Sequence, residues 1–297
     1  MANTFQNYLV VGIGEVLWDM FPGVKSLGGA PANFAFHTSQ LGARGIVVSC
    51  IGHDPEGMEI EQRFAELGLT TQYLRYADRP TGIVTVDVQA GQPIYTIHSN
   101  AAWDFLPFDA ELEALAQMAD AVCFGSLAQR TAISRHSIQS FLGKTRQDCL
   151  KVFDINLRQT FYETSTIEKA LSISDVLKLN HEELAIITNL LQLAQDEITA
   201  VTEIMARFSL RLVALTYGRN GSSLYTSYRI SHHPGYPVTI VDTVGAGDAF
   251  TSALVLGLLR DDDLDCIHDH ASRLASFVCS QPGATPQVPQ TLLASLC

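Results

Sequence analysis

An acidic residue stands directly behind a glycine-rich turn in residues 241–250, VDTVGAGDAF. Gly245 and Gly247 let the backbone turn tightly and approach a ligand without a Cβ in the way. The run that follows, residues 251–259, is apolar on nearly every face, which predicts a buried helix. The first amides of such a helix bind anions, because unpaired N–H groups and the macrodipole both favour negative charge.

Asp248 falls in the first turn of this predicted helix, beside the anion site. A carboxylate next to a phosphate pocket is electrostatically costly unless it takes part in the reaction. Its natural role is to accept a proton from a hydroxyl group that attacks a γ-phosphate. The alternative is that Asp248 caps the helix, and the spacing alone does not choose between the two.

Short β-branched runs alternate with segments of helical period along most of the chain. Residues 46–48, for example, precede a predicted helix over 56–67, and residues 9–11 precede one over 31–41. This alternation predicts a mostly parallel sheet covered by helices on both faces, a three-layer αβα sandwich. Further buried strands are predicted at 121–124, 152–153, 176–177 and 212–215.

Residues 81–98 break the alternation, because two strand-like runs flank Ala90-Gly91. Apolar side chains such as Val84 alternate there with polar ones such as Thr85, which indicates an antiparallel pair with one polar face. We expect this pair to stand off the main sheet as a small lid. A hairpin at the sheet edge is the alternative.

The composition is that of a globular protein, with 47% hydrophobic and 17% charged residues. The formal net charge of -12 argues against nucleic acid or an anionic membrane as a partner, but it does not exclude one bound nucleotide. No apolar run approaches the ~20 residues needed to cross a bilayer, and no basic residue precedes Lys25 as a secretory signal would require. The six scattered cysteines are expected to be free thiols, which favours a cytoplasmic location.

Residues 242–248, DTVGAGD, resemble the D-T-x-G-A-G-D signature of the ribokinase-like (pfkB-type) carbohydrate kinases. The resemblance implies one ribokinase-like domain over 1–297, with lid segments near 16–28 and 81–104. It also implies ATP as the phosphate donor, Mg²⁺ as a cofactor and Asp248 as the catalytic base. The amides of Gly245, Ala246 and Gly247 would then form the anion hole.

Other motifs place the acceptor in this family's order. Residues 28–33, GGAPAN, resemble the G-G-x-x-x-N motif, in which the glycines bring backbone close to the sugar and Asn33 offers a donor and an acceptor. The alternative is a glycine-rich loop before a proline-initiated helix. Asp19 stands where such kinases bond sugar hydroxyls. The expected sugar contacts are therefore Asp19, Gly28, Gly29 and Asn33.

Residues 154–158, DINLR, resemble the D-x-N-x-R segment of fructokinases. The resemblance implies that Arg158 clamps a phosphate during transfer. A surface arginine paired with Asp154 is the alternative.

Several segments resemble the nucleotide and cation motifs of the family. Asn180 and Glu183 match N-x-x-E, which holds Mg²⁺ and phosphate largely through water. Residues 216–222, TYGRNGS, resemble the nucleotide loop, although Asn220-Gly221 is also a plain hairpin turn. Residues 281–284, QPGA, resemble the segment close to adenine. The expected nucleotide contacts are Thr216, Gly218, Gly221 and Gly283, and related kinases imply a K⁺ site at Asp242 and the Val244 carbonyl.

A sugar phosphate would need several cations in the acceptor pocket, but the motifs place Asp19 and Asp248 there, with Lys25 and Arg158 as the only nearby basic candidates. This favours a neutral polyol over a sugar phosphate. Residues 14–21, 28–33 and 100–104 together resemble bacterial fructokinases, so we expect fructose to be converted to fructose 6-phosphate. A ribokinase, a nucleoside kinase or another sugar kinase of the family is the alternative, and an inactive sugar sensor is the alternative from another class. A homodimer formed through the lid is a further expectation.

Two features of the sequence leave their roles open or argue for a structural one. The sequence leaves four roles open for Trp103: packing on the sugar, packing on the lid, stacking on a base, or belonging to the core. The pairs His232-His233 and His268/His270 lack partners at metal-ligand spacing, so we expect all four at the surface.

Overall fold

The computed structural model describes the backbone of residues 8–21, 23–89 and 92–293, and their side chains except in 86–94. The strands, in chain order, are β1 (Leu9–Ile13), β2 (Leu17–Phe21), β3 (Val24–Gly28), β4 (Arg44–Gly52), β5 (Leu74–Ala77), β6 (Gly82–Gln89), β7 (Gln92–Ile97), β8 (Ala121–Phe124), β9 (Leu150–Asp154), β10 (Val176–Asn180), β11 (Leu212–Thr216), β12 (Ser222–Thr226) and β13 (Ile230–His233).

The α-helices lie between these strands and after them. They are α1 (Ala30–Gln40), α2 (Pro55–Glu66), α3 (Ala110–Met118), α4 (Ala132–Lys144), α5 (Thr164–Ser172), α6 (His181–Leu191), α7 (Glu197–Phe208), α8 (Ala246–Arg260), α9 (Leu264–Cys279) and α10 (Gln290–Leu293).

Nine strands form the central sheet, in the order β13-β12-β11-β10-β9-β8-β1-β4-β5. The strands from β11 to β5 run parallel, whereas β12 and β13 form an antiparallel extension at one edge. Because the central strands are buried on both faces, they read as the continuous β-branched runs seen in the sequence.

Helices cover both faces of this sheet. Side chains alternate along β1, so Val11 and Ile13 pack into the core on the side of α3 to α7, whereas Val10 packs with α1, α8 and α9. On the second face, Ile60 and Phe64 of α2 extend the packing across β4. The predicted three-layer αβα sandwich is confirmed.

A second, four-stranded sheet stands apart from the central one, in the order β3-β2-β6-β7. Its strands fall within residues 16–28 and 81–104, and β6 pairs antiparallel with β7 as the sequence predicts. The predicted turn at Ala90-Gly91 lies outside the described residues.

Asp54 fastens the second sheet to the central one. Its carboxylate accepts hydrogen bonds from the Gly57 amide at 2.8 Å, which caps α2, and from the Thr81 amide at 2.7 Å. The Thr81 hydroxyl in turn accepts the Gly52 amide at 2.9 Å, at the end of β4. One carboxylate therefore fixes both the start of α2 and the entry to β6.

Trp103 belongs to the core. It is 1% exposed, its ring stacks under the Arg130 guanidinium at 4.0 Å, and a Cβ on Gly82 would meet its Nε1 at 2.4 Å. Asp104 accepts from the same guanidinium in a buried ion pair. Trp103 therefore supports the base of the second sheet.

None of the helices in the described residues combines the length and apolarity that crossing a bilayer requires.

Candidate active site

The candidate site lies where parallel strands of the central sheet end. Residues Asp154, Asn180 and Thr216 close β9, β10 and β11, and Glu15 follows β1. The start of α8 lies against the same edge, because the Thr251 hydroxyl in its second turn donates to Asp154 at 2.8 Å. This is the edge at which open α/β sheets bind ligands.

Gly245 starts α8 with a backbone conformation that favours glycine. Its φ is 77°, and a Cβ there would meet the Ala284 carbonyl oxygen at 2.6 Å. The Ala249 amide donates to the Gly245 carbonyl at 2.9 Å, so the amides of residues 246–248 have no acceptor inside the helix. The Ala246 amide makes a 3.4 Å contact with the Thr243 carbonyl. We call residues 242–248 the anion loop.

Asp248 lies in the first turn of α8 and is 8% exposed. The helix is capped by Gly245, and the Asp248 carboxylate instead accepts a hydrogen bond from Asn33 Nδ2 at 2.9 Å. Burial raises the pKa of Asp248 to about 6; the Asp154 carboxylate also raises it, while Asn33 and Lys178 lower it. The carboxyl is thus poised to exchange a proton close to neutral pH.

Lys178 is a site residue that the sequence analysis missed. Its ammonium lies 3.1 Å from Asp154, and a Cβ on Gly247 would meet its Nζ at 2.9 Å. Burial lowers the pKa of Lys178, but the nearby carboxylates, led by Asp154, more than offset this and raise it above its usual value. A lasting positive charge therefore lies beside the anion loop. The available signal was a single charged residue between two leucines of strand β10.

The glycines of the GGAPAN segment lie against acidic residues. A Cβ on Gly28 would meet Asp19 Oδ2 at 2.4 Å, and one on Gly29, whose φ is 113°, would meet the Glu15 carbonyl at 2.5 Å. Burial raises the pKa of Asp19 to about 6, and Arg158 opposes that rise. Asp19 and Arg158 thus act on each other electrostatically.

Arg158 is exposed, and its guanidinium donates to Asn156 Oδ1 at 3.1 Å. It does not pair with Asp154, whose carboxylate is taken by Lys178 and by the Thr251 hydroxyl at 2.8 Å. Its charge lowers the pKa of Asp248, which places it within electrostatic reach of that carboxyl.

Glu15 adds a third acidic side chain to this region. It lines a small cavity together with Asp154, Asn156 and Asp248, and its Oε2 is buried without a hydrogen-bond partner among the described residues. Burial raises the pKa of Glu15 to about 7. Asn33 Oδ1 is also buried without such a partner. Two acceptor atoms near Asp248 are therefore available to a donor.

A pocket of about 650 Å³ lies on the other side of the anion loop. Tyr236, Val238 and Ile240 form one wall, and Ala275 and Cys279 of α9 contribute to another. Four of the residues expected to contact the nucleotide or Mg²⁺ line this pocket, and so do three residues of the anion loop: Asn180, Thr216, Gly218, Gly221, Thr243, Ala246 and Gly247. Its size suits a nucleotide.

Residues 217–221 connect β11 to the antiparallel β12, so the segment is the hairpin connection that the sequence also allowed. Glu183 and Gly283 do not line the large pocket.

Asn180 and Glu183 cap α6 reciprocally. Asn180 Oδ1 accepts the Glu183 amide at 2.8 Å, and Glu183 Oε2 accepts the Asn180 amide at 2.8 Å. The other Glu183 oxygen accepts the Leu157 amide at 2.9 Å. Over the described residues there is no cluster of three His, Cys, Asp or Glu side chains that could hold a metal ion.

Asp242 links the anion loop to the chain after α9. Its Oδ1 accepts the Val244 amide at 3.0 Å, and its Oδ2 accepts the Gly283 amide at 3.1 Å. Gly283 does not line the pocket, but its amide holds the Asp242 side chain at the start of the anion loop.

The profile of the pfkB family carbohydrate kinases matches residues 13–291. The chain belongs to the pfkB family. It is a phosphotransferase that uses a hydroxyl group as acceptor. The family resemblance inferred from DTVGAGD is therefore confirmed.

Individual relatives of this pfkB kinase carry different substrate names. It is 30% identical to a fructokinase of Klebsiella pneumoniae over 83% of both chains. It is also 30% identical to a nucleoside kinase of Methanothermobacter thermautotrophicus, over 89% of this chain and 82% of the relative.

Among solved structures, a double-mutant fructokinase of Vibrio cholerae with bound fructose, ADP and potassium ion superposes with a TM-score of 0.82. It shares 26% identity and covers 98% of this chain and 99% of its own. This and other solved kinase structures with the same fold confirm the predicted ribokinase-like fold.

Proposed function

We propose that this kinase transfers the γ-phosphoryl group of ATP to a hydroxyl of a neutral sugar, with fructose as the first candidate and fructose 6-phosphate as the product. The observation that carries the proposal is the 2.9 Å bond between Asn33 and Asp248 beside the anion loop. It joins the segment expected to hold the sugar to the carboxyl group expected to activate it, next to a pocket of nucleotide size.

Asp248 is the base in this proposal. Its ionised carboxylate accepts the proton of the attacking sugar hydroxyl, and the Asn33 amide fixes its orientation. The amides in the first turn of α8 and the Lys178 ammonium stabilise the negative charge on the group in transfer. Arg158 is proposed to reach the same phosphate, since its guanidinium is exposed.

The acceptor site would hold the sugar through Asp19, Asn33 and the backbone at Gly28 and Gly29. The unpartnered Oδ1 of Asn33 is an acceptor, and so is Oε2 of Glu15 when that carboxyl group is ionised, so hydroxyl donors satisfy both and phosphate oxygens do not. This supports a neutral polyol. The fructokinase names among the relatives support fructose in particular.

Asn180 and Glu183 are the residues proposed to hold Mg²⁺. Each of their side-chain oxygens already accepts one backbone amide, which leaves them suited to bind water of a hydrated ion rather than to cage the ion directly. Bound Mg²⁺ would offset the charge of the ATP phosphates. Asp242 and the Val244 carbonyl are the proposed K⁺ ligands, as the resemblance to the family's motif implies. The potassium ion bound to the Vibrio cholerae fructokinase supports a monovalent cation in an enzyme of this fold.

We also propose that the protein forms a homodimer through the second sheet. Val24 on β3 and Tyr95 on β7 are 63% and 47% exposed, and they lie on the two edge strands of that sheet. Light scattering after size-exclusion chromatography measures the oligomeric state directly. A monomer at all concentrations would contradict this part of the proposal. A cytoplasmic location belongs to the proposal as well and is tested by cell fractionation.

An acceptor panel tests the proposed substrate. ADP release is measured with fructose, glucose, mannose, ribose, adenosine and fructose 6-phosphate, and the product is identified by mass spectrometry. We expect the highest kcat/KM with fructose and little ADP release without a sugar. A preference for adenosine or for fructose 6-phosphate would contradict the neutral-sugar assignment, and inactivity with every acceptor would favour a sugar sensor.

A further inference from the structure

His37 is fully buried in α1, one helical turn after Asn33. Its Nε2 lies 2.9 Å from the Ala284 carbonyl oxygen, a contact that spans most of the chain. A carbonyl oxygen only accepts, so Nε2 carries the hydrogen and His37 is the donor. Burial lowers the pKa of His37 to about 4, so the ring is neutral near physiological pH.

The peptide that His37 holds is the one against which the anion loop rests. A Cβ on Gly245 would meet the Ala284 carbonyl oxygen at 2.6 Å, so the middle of the loop, where α8 begins, is packed on the same oxygen that His37 binds. The neighbouring Gly283 amide donates to Asp242, the first residue of the loop, at 3.1 Å. Residues 283–284 therefore support the loop at two points.

Helix α1 therefore makes two contacts from one face, one with the base Asp248 and one with the peptide behind the anion loop. Asn33 bonds Asp248 at 2.9 Å, and His37, four residues later, bonds Ala284 at 2.9 Å. The first connection orients the base, and the second fixes the backbone behind the amides that receive the phosphates. A shift of the Ala284 peptide would displace Gly245, because little space separates them.

We propose that His37 is a positioning residue for the anion loop: its Nε2–H holds the Ala284 peptide in place, and this keeps the first-turn amides of α8 aimed at the phosphates of ATP. His37 does not touch a substrate. Its removal weakens nucleotide binding and phosphate transfer while the sugar contacts on α1 remain. The inference rests on the proposed function only in taking the ligand of these amides to be ATP.

Three substitutions separate the donor from the bulk of the ring. In His37→Gln the side-chain amide reaches about as far as Nε2 and still donates. His37→Met has similar length and no donor, and His37→Asn has a donor that is too short to reach Ala284. His136→Met, on the exposed face of α4, is the control for a histidine-to-methionine change away from the site.

The experiment measures the Kd of MgATP by calorimetry, the Kd of fructose without nucleotide, steady-state kinetics and the unfolding midpoint in urea. We expect the MgATP Kd to rise and kcat/KM for ATP to fall by about 10-fold or more in His37→Met and His37→Asn. His37→Gln should stay within about 3-fold of wild type in both. The fructose Kd and the His136→Met control should change less than about 2-fold.

Equal nucleotide affinity in wild type and His37→Met would overturn the inference. So would equal losses in the Gln and Asn variants, since only one of them keeps the donor in reach, and this comparison still decides if the Met variant does not fold. A wild-type enzyme that binds MgATP but phosphorylates none of the sugars would overturn the proposed function and leave the inference standing, because its main readout is nucleotide affinity.

Discussion

Replacing Lys178 by methionine removes a buried positive charge from between carboxylates. The Lys178 and Asp154 side chains are 7% and 5% exposed and lie 3.1 Å apart. Removing one partner of a buried pair leaves an uncompensated charge, which costs about 3–5 kcal/mol of unfolding free energy. The unfolding free energy of a typical domain is ~5–15 kcal/mol, and a loss of this size is smaller than most of that range. We therefore expect Lys178→Met to fold with a clearly lower urea midpoint.

The activity of Lys178→Met should fall as well, and for a separate reason. The ammonium lies against Gly247, where charge develops on the group in transfer. Loss of one such preorganised group lowers kcat by about 10²–10³. The assay is ADP release at saturating fructose and ATP, under conditions where the variant is folded.

A second substitution separates stability from catalysis. Replacing both members of a buried ion pair by apolar residues is often neutral, so Lys178→Met/Asp154→Leu should regain much of the lost stability. The Thr251 hydroxyl keeps its bond to the Gly247 carbonyl at 3.0 Å. The double variant should remain as inactive as the single one.

Lys144→Met is the matched control for the loss of a lysine. Its partner Glu113 lies 2.8 Å away, but the two side chains are 50% and 37% exposed, so the expected cost is below about 1 kcal/mol. The reasoning about Lys178 is refuted if Lys178→Met costs no more than this control and retains its kcat. It is also refuted if the double variant is no more stable than the single one.

Three further expectations follow from named contacts. Because Asp248 must be ionised to act as a base and burial raises its pKa to about 6, kcat/KM for the sugar should fall about 10-fold per unit below pH 6; a profile that stays flat to pH 4 would contradict this. Gly245→Ala puts a Cβ 2.6 Å from the Ala284 oxygen at a φ of 77°, so kcat/KM for ATP should fall more than about 10-fold in steady-state assays, whereas wild-type kinetics would exclude a tight loop. Asp54→Ala removes the cap of α2 and the bonds to Thr81, so urea unfolding should show a loss of about 1–3 kcal/mol; an unchanged midpoint would mean that Asp54 does not fasten the two sheets.

The fold was predictable from the sequence because its signal is local. Runs such as Ile46-Val47-Val48 lie in β4 as predicted, and the alternating segment at 81–89 became β6 of a separate sheet. Binary patterning and the length of the runs carry this information within a few residues. The predicted helix at 31–41 differs from α1, Ala30–Gln40, by one residue at each end.

The site was predictable only in part, because its contacts are long-range. The motif match brought Asn33 and Asp248 to one site, and the structure places them in contact across 215 residues. Lys178 was missed because periodicity reads a strand lysine as a solvent-facing residue. Its burial depends on Asp154, which comes from another strand.

The prediction that His268 and His270 lie at the surface was wrong. His268 is 1% exposed and His270 is 5% exposed. The ring of His268 is hydrogen-bonded to Ser222 and Ser231, so strands β12 and β13 supply the partners that allow its burial. The sequence around His268 does not indicate these partners, because they lie on strands distant along the chain.

The central claim is that Asp248 takes the proton of the acceptor hydroxyl. Its most direct test is single-turnover phosphate transfer by Asp248→Asn, with the affinities for fructose and MgATP measured on the same protein. The amide is nearly isosteric with the carboxylate, so binding should be kept within about 3-fold while the transfer rate falls by about 10²–10⁴. A variant that transfers phosphate within about 10-fold of the wild-type rate would contradict the account.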